Sequence, residues 1–330
     1  MKTSHVLQSW SNILSGRQPF LSIELTRECP LRCPGCYAYD EAHLGGNGTT
    51  LRVLSDYKQD ALVQEVLKLV DSYRPIHVSL VGGDPLVRHR ELENILPELD
   101  ERGINVQLVT SAFRPIPGHW KKFAQLNVVV SVDGLQPDHD VRRKPATYER
   151  ILRNIRESSV TIHCTITSQM TKQRNYFDRF LDFWGQRQEV KRVWMSIFTP
   201  QQGATNEEIV SAEERIGIID ELRELRLRYP ILDMNEAVLR EFLSPPQSPA
   251  ECIFARCTQT ISADLKTRIS PCQFGGNPDC SQCGCLASMG LAAIGHHELA
   301  PGITLGRLFN ASERLGKSIR KIRNSQREVA

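Results

Sequence analysis

The chain has 330 residues, enough for one large domain with a smaller one, or for two domains. Its 40% hydrophobic and 24% charged residues are ordinary for a globular protein, and the net charge of +3 is too small to indicate a nucleic acid partner. No run approaches the roughly 20 apolar residues of a membrane helix, and no apolar segment of a signal peptide is seen. We therefore predict a cytoplasmic protein, with neither membrane nor nucleic acid as a partner.

Short apolar runs alternate with helical patterns over the first 200 residues, which predicts a parallel α/β sheet. Right-handed crossovers make this either a barrel-like curved sheet or a doubly wound one, and the pattern alone does not choose. Six strands are predicted, at 20–25, 76–81, 105–110, 128–132, 160–167 and 193–198. The clearest helices are predicted at 91–102, 147–156, 176–185 and 211–228.

The ten cysteines are too few for a disulfide scaffold in a chain of this length, and their placement is uneven. Three lie between positions 29 and 36, six lie between 252 and 285, and Cys164 stands alone. Groups of this kind in a reducing compartment indicate metal or cluster ligands.

The first group, Cys29, Cys33 and Cys36, has the spacing C-x3-C-x2-C directly after a predicted strand. Three thiolates on one tight loop can bind three irons of a [4Fe–4S] cube and leave the fourth iron open for substrate. The alternatives are free thiols or a zinc knuckle, for which His43 is available as a further ligand.

Polar residues share one face of the fourth and fifth predicted strands. Ser131 and Asp133 point to the same side because side chains alternate along a strand. In the fifth strand, Cys164 belongs to the apolar face and is predicted to be a core thiol. The polar face of that strand carries Thr161, His163, Thr165 and Thr167. This face is predicted to line a cavity, with a hydrogen-bonded core histidine as the alternative for His163.

The second group of cysteines lies within 34 residues, after a proline-rich linker at 244–249. A predicted β-hairpin with a turn near 264–267 would bring Cys257 and Cys272 together. The spacing suits iron–sulfur or zinc ligation, with disulfides as the alternative. The six cysteines are Cys252, Cys257, Cys272, Cys280, Cys283 and Cys285.

The first cysteine motif, together with Gly82-Gly83-Asp84-Pro85 after the second strand, resembles the radical S-adenosylmethionine (SAM) superfamily over residues 18–200. The resemblance implies a partial (β/α)6 TIM-like barrel and a SAM-binding [4Fe–4S] cluster on Cys29, Cys33 and Cys36. It also implies that the backbone at Gly82, Gly83 and Asp84 receives the SAM amino group.

Other SAM contacts follow from the same resemblance. Ser131 and Asp133 would hold the ribose, and Arg143, at the end of His139-Asp140-Val141-Arg142-Arg143, would hold the SAM carboxylate. The resemblance also implies that the strand end at Ser196 stacks the adenine. The polar face of the fifth strand independently predicts that Thr165 or His163 touches SAM or substrate.

The second cysteine group resembles the SPASM and twitch extensions of radical SAM enzymes, which bind auxiliary clusters. The resemblance implies one auxiliary [4Fe–4S] cluster, with two as the alternative. Cys257 and Cys272 are predicted as its surest ligands, Cys252 as a ligand or a bystander, and two more come from Cys280, Cys283 and Cys285.

Four regions are therefore predicted: a radical SAM core at 18–200, connecting helices at 201–245, a small cysteine-rich extension at 246–300, and a helical tail at 301–330. The tail is basic, but its charges are spread around the helix and include Glu313 and Glu328, which is typical of a solvated surface.

The resemblance implies reductive cleavage of SAM, with methionine and a 5′-deoxyadenosyl radical as the usual products, followed by modification of a small molecule or peptide. It also implies an external one-electron donor such as flavodoxin or ferredoxin. The rival hypotheses are a zinc-stabilised nucleic-acid-binding module and a non-catalytic iron–sulfur electron-transfer protein.

Overall fold

The computed structural model describes residues 3–46, 48–145 and 147–328. Its largest element is a sheet of seven parallel strands. The strands are β1 (Phe20–Glu24), β2 (His77–Val81), β3 (Asn105–Thr110), β4 (Leu126–Ser131), β5 (Val160–Ile166), β6 (Val190–Ile197) and β7 (Thr258–Ile261). A separate antiparallel pair consists of β8 (Glu298–Ala300) and β9 (Ile303–Thr304).

Strand order decides between the two architectures that the sequence pattern leaves open. The order in the sheet is β6-β5-β4-β3-β2-β1-β7. From β1 to β6 each strand lies beside its predecessor and the direction never reverses, whereas a doubly wound sheet reverses at a switch point. The predicted partial TIM-like barrel is therefore confirmed.

Helices precede, connect and follow the strands. They are α1 (Thr3–Leu14), α2 (Gln59–Tyr73), α3 (His89–Glu101), α4 (Gln136–Arg142), α5 (Tyr148–Asn154), α6 (Ser168–Thr171), α7 (Tyr176–Gly185), α8 (Ala212–Arg228), α9 (Glu236–Glu241), α10 (Ile253–Cys257), α11 (Leu286–His296) and α12 (Leu305–Glu328). The start of α8 has a capping box, in which Ser211 and Glu214 satisfy each other's backbone N–H groups. None of the described helices is both long and apolar enough to cross a membrane.

The two faces of the sheet differ in polarity. Outward residues such as Val78 and Leu80 are fully buried against the helices, in one core with Leu62 and Val66 of α2. Cys164 is buried in this core, as predicted. The opposite face carries the polar residues, and Ser131 pairs in register with His163 on the next strand.

The predicted hairpin after Cys257 is only partly formed as expected. Its turn lies where predicted, because Asp264 accepts hydrogen bonds from the amides of Lys266 and Thr267 at 3.0 and 2.8 Å. Its first strand, however, joins the large sheet as β7, parallel to β1, and the return strand makes only the bridge between Ile261 and Arg268. The edge of β1 was free for pairing, and β7 extends the barrel sheet by one strand.

Two terminal helices pack on each other beside β7. A Cβ added at Gly316 of α12 would lie 2.0 Å from the carbonyl oxygen of Ile13 in α1, so the two backbones are in close contact. The helical tail is thus part of the folded body. Positions 329 and 330 and the side chains of residues 323–328, including the predicted surface residue Glu328, lie outside the described residues.

The turn after β2 yields a stability prediction. Gly83 has φ +52°, and an added Cβ would lie 2.2 Å from the carbonyl oxygen of Glu28, whereas Gly103 has φ +66° and nothing within 4 Å. We expect Gly83→Ala to lower the free energy of unfolding by more than about 3 kcal/mol, because backbone must move. Gly103→Ala should cost about 1 kcal/mol from φ alone. Urea denaturation of both variants measures this, and equal losses would contradict it.

Candidate active site

The three cysteines of the first group lie on the loop that follows β1, at the carboxyl edge of the sheet. All three are partly buried. The pKa of Cys29 is raised to about 12, mainly by burial and to a smaller extent by the nearby Asp84, Cys36 and Cys33. The Sγ of Cys29 also accepts a hydrogen bond from the amide of Leu31 at 3.4 Å.

The chemistry of this loop fits an iron–sulfur cluster. Its donors are thiols, which as thiolates each bind one iron of a cube, and three of them leave one iron open. Gly35, between the second and third cysteine, has φ +67° and open space where a side chain would stand. Ligands of a cube bind different irons and stand farther apart than the ligands of one zinc ion. In residues 3–46, 48–145 and 147–328, no three histidine, cysteine or carboxylate side chains stand close enough to hold a single ion.

Arg88 fixes the cysteine loop to the rest of the barrel. Its guanidinium donates to Glu28 at 3.1 Å and to Asp56 at 2.7 Å, and only 7% of its side chain is exposed. The hydrogen bonds of Arg88 and Lys58 lower the pKa of Glu28 to about 2. Sequence reasoning missed Arg88, since nothing in an arginine at the start of a helix indicates that it is buried.

Contacts within the chain already require glycine at both positions after β2. A Cβ at Gly82 would lie 2.2 Å from Cβ of Glu24, and one at Gly83 would meet Glu28. Close contact with β1 and the cysteine loop, rather than with a ligand, therefore already requires glycine at both positions.

Asp84 is fully buried and its carboxylate is saturated. It accepts hydrogen bonds from the amide of Leu86, from Thr110 Oγ1 at 2.7 Å, and from both the amide and the hydroxyl of Ser111. Burial raises its pKa, and these donors oppose the rise. The side chain thus ties the ends of β2 and β3 together, which leaves only the backbone here to contact a ligand.

Asp133 holds two arginines at the end of β4. Arg142 Nη1 lies 2.6 Å and Arg143 Nε lies 2.8 Å from Asp133 Oδ2, and the amide of Thr165 donates to Oδ1 at 3.3 Å. Burial works against the charged carboxylate, but Arg143 and Arg142 outweigh it and hold the pKa of Asp133 well below its usual range. Arg142 also pairs with Glu208. The predicted ribose and carboxylate ligands, Asp133 and Arg143, therefore pair with each other.

His139 orients the loop that carries these arginines. Its Nδ1 accepts a hydrogen bond from the amide of Asp133 at 3.1 Å, and its Nε2 lies 2.8 Å from Thr147 Oγ1. Burial lowers the pKa of His139 to about 4. The ring is neutral and serves as a fixed link between β4 and α5.

The remaining predicted SAM contacts lie together on the polar face of the sheet. Thr165 pairs in register with Ser196, and Ser131 pairs with His163. His163 Nε2 lies 2.8 Å from Ser196 Oγ, and that oxygen also accepts from the amide of Leu286 at 3.2 Å. Burial lowers the pKa of His163 to about 4. Ser196 is thus hydrogen-bonded both to a barrel side chain and to the backbone of the cysteine-rich segment.

Five of the six later cysteines line one open pocket. Burial raises the pKa of Cys272 to about 12, and the neighbouring thiols Cys283, Cys252 and Cys280 add to the rise. The five cysteines are Cys252, Cys272, Cys280, Cys283 and Cys285. Thiols in this number on one wall fit the ligand set of an iron–sulfur cluster.

Cys257, predicted as one of the surest ligands, lies elsewhere. It is buried in an apolar cluster with Ile13 and Phe309, between the terminal helices. It is the last residue of α10, whereas Cys252 caps the start of that helix and faces the cavity. The sequence spacing could not distinguish the two, because it does not show which way each end of a short helix points.

The cysteine-rich segment is anchored to the end of β6. Arg215 of α8 donates to the carbonyl oxygens of Cys283 at 3.0 Å and Gln282 at 2.7 Å. A Cβ at Gly284 would lie 2.0 Å from the carbonyl oxygen of Ile197, so the loop rests directly on the strand. The second cysteine group is therefore held at the same edge of the barrel as the first.

A three-cysteine loop at the carboxyl edge of a parallel barrel-like sheet lies where barrel enzymes carry their active sites. Residues 23–179, a little under half of the chain, match the family model of the Radical SAM superfamily. Over these residues the chain is similar to that superfamily.

The chain is also similar to one sequence relative and to solved structures. The chain is 33% identical over 107 residues to a 7-carboxy-7-deazaguanine synthase of Hyperthermus butylicus, a match that covers 31% of this chain and 39% of that protein. SuiB of Streptococcus suis, bound to its precursor peptide SuiA, superposes with a TM-score of 0.56 at 14% identity, over 79% of this chain and 61% of SuiB. The enzyme anSMEcpe with bound AdoMet gives 0.55 at 18% identity, over 82% and 80% of the two chains. At these identities the structural likeness concerns the fold.

Proposed function

We propose that the chain is a radical SAM enzyme whose SAM-binding [4Fe–4S] cluster is held by Cys29, Cys33 and Cys36. The observation that carries the proposal is that three features lie at one edge of the barrel. They are the cysteine loop, the turn at Gly82 and Gly83, and the ion pairs of Asp133 with two arginines. When bound, the cluster supplies the electron that cleaves a carbon–sulfur bond of SAM.

The chain's own residues bind and orient SAM in this proposal. Arg143 contacts Asp133 through Nε, so its terminal nitrogens can receive the SAM carboxylate. Its charge also acts on Cys36, which places it beside the cysteine loop. Ser131, Thr165 and Ser196 offer the polar surface for the nucleoside, and the backbone of Gly82, Gly83 and Asp84 receives the amino group.

We further propose one auxiliary [4Fe–4S] cluster in the cavity at the second cysteine group. Four thiolates complete such a cluster, and five cysteines line this pocket. In this proposal Cys252 is a ligand and Cys257 is a packing residue between the terminal helices. The extension acts as the SPASM-like and twitch-like segments of radical SAM enzymes do.

Iron content separates these two cysteines. We expect Cys272→Ala to lower the iron bound by the reconstituted chain from about eight to about four atoms. Cys257→Ala should keep about eight, because its thiol faces an apolar cluster. Iron analysis after anaerobic reconstitution measures both, and loss of iron in the Cys257 variant alone would contradict this ligand set.

The substrate in this proposal is a peptide or a small molecule. A peptide is supported by SuiB, which was observed with its precursor peptide, and by anSMEcpe, which was observed with AdoMet and a peptide. The reducing electron comes from an external one-electron carrier such as flavodoxin or ferredoxin, which places the enzyme in the cytoplasm.

The metal itself tests the proposal against the zinc-stabilised alternative. We expect the chain purified without oxygen to be brown, to absorb at about 400 nm and to bind SAM. Colourless protein that retains zinc and does not bind SAM would contradict the proposal.

A further inference from the structure

A buried ion pair joins the two cysteine-bearing loops. His43, on the segment that follows Cys36, places Nε2 2.8 Å from Glu24 Oε1 at the end of β1. Its Nδ1 lies 2.9 Å from the carbonyl oxygen of Phe274, two residues after Cys272. The side chains of His43 and Glu24 are 0% and 2% exposed.

Hydrogen-bond chemistry fixes the form of this histidine. The Phe274 carbonyl can only accept, so Nδ1 carries a hydrogen. The second oxygen of Glu24 accepts from Ser262 Oγ at 2.6 Å. Burial opposes the charge on His43, but the hydrogen bond and charge of Glu24 outweigh it and raise its pKa. The raised pKa favours the charged ring, in which Nδ1 donates to Phe274 and Nε2 donates to Glu24.

The loop after Cys272 is in close backbone contact with His43. Gly275 has φ +65°, and an added Cβ would lie 2.0 Å from the carbonyl oxygen of His43. The ring of Tyr37 contacts both His43, at 5.7 Å between centroids, and Phe274, at 5.4 Å. The loop after Cys272 is thus seated on the loop after Cys36.

We propose that His43 is a positioning residue that holds the Cys272 loop against the first cysteine loop by donating to Glu24 and Phe274 at once. The second cysteine site is then complete only when the His43 ring makes both of these hydrogen bonds. The part of the inference that concerns cluster binding rests on the proposed function, whereas the contact between the loops does not.

Hydrogen exchange in metal-free protein tests the contact itself. His43→Ala should speed the exchange of amides at 272–279 by about tenfold or more, because the loop loses its support. His77→Ala is the matched control, since His77 lies at the far end of β2 and bonds to Ser79 at 3.1 Å. Unchanged exchange at 272–279 in the His43 variant would overturn the proposal. Should the alanine variant not fold, His43→Gln, which has one donor nitrogen, replaces it.

Cluster loading tests the consequence. The His43 variant should hold about four irons instead of about eight, with the EPR signal of the SAM-binding cluster retained. Added imidazole should restore the missing iron, while 1-methylimidazole, which cannot donate from both nitrogens, should not. Full iron in the variant, or equal rescue by both compounds, would overturn the proposal. A wild-type chain with only four irons would instead refute the auxiliary cluster, and the exchange rates would still decide the contact.

Discussion

Replacing Cys29, Cys33 and Cys36 together with alanine is expected to abolish SAM cleavage while leaving the second site loaded. The three thiolates are the only ligands that the proposal gives to the SAM-binding cluster, so their loss removes the open iron altogether. Iron should fall from about eight to about four per chain, and nucleoside product should fall at least about 1000-fold.

A matched control for this variant is Cys164→Ala. Cys164 is part of β5, and its side chain is 1% exposed in the apolar core. Its replacement removes one buried thiol and leaves both cysteine loops unchanged. This control should keep its iron and its SAM cleavage, with a modest loss of stability. SAM cleavage by the triple variant at the wild-type rate would show that the first cluster is assigned to the wrong residues.

Asp133→Asn is expected to lower the free energy of unfolding by about 3 kcal/mol or more at pH 7 and to weaken SAM binding. The carboxylate is 1% exposed and pairs with two largely buried guanidinium groups, so the substitution leaves Arg142 and Arg143 without their common counter-charge. Urea denaturation measures the first effect, and equilibrium dialysis of SAM measures the second.

Asp233→Asn is the control for Asp133, because Asp233 pairs with Arg192 at 3.3 Å where both side chains are about half exposed. It should cost less than about 1 kcal/mol. The pKa of Asp133 is depressed in the folded chain, so its contribution is present above its ordinary pKa and is lost as the pH falls through the folded value. The difference between wild type and Asp133→Asn should therefore shrink below about pH 4, and a constant difference would contradict the ion pair.

The barrel could be predicted because each of its strands is a local signal. The hydrophobic run at β3 and the alternation in β5 reflect one buried face and one polar face. Both patterns can be recognised from residues that are neighbours in the sequence. The strand order was not predictable in this way, nor was β7. The attachment of β7 to β1 depends on an edge that only the folded sheet provides.

The site was predictable where spacing along one loop determines geometry, as for Cys29, Cys33 and Cys36. It was not predictable where partners are distant in sequence. Asp133 and Arg143 were expected to face a ligand separately, and their pairing follows from the bend between β4 and α4. His43 could only be named as a spare ligand, because its partners Glu24 and Phe274 lie 19 and 231 residues away.

Anaerobic incubation of the iron-reconstituted chain with SAM and dithionite, followed by chromatography of the nucleosides, tests the central claim most directly. Release of 5′-deoxyadenosine, lost in the Cys29, Cys33 and Cys36 variant, is the predicted result. Intact SAM after incubation with every candidate substrate, together with an EPR signal of the reduced cluster that SAM does not change, would contradict the claim and favour a non-catalytic electron-transfer protein.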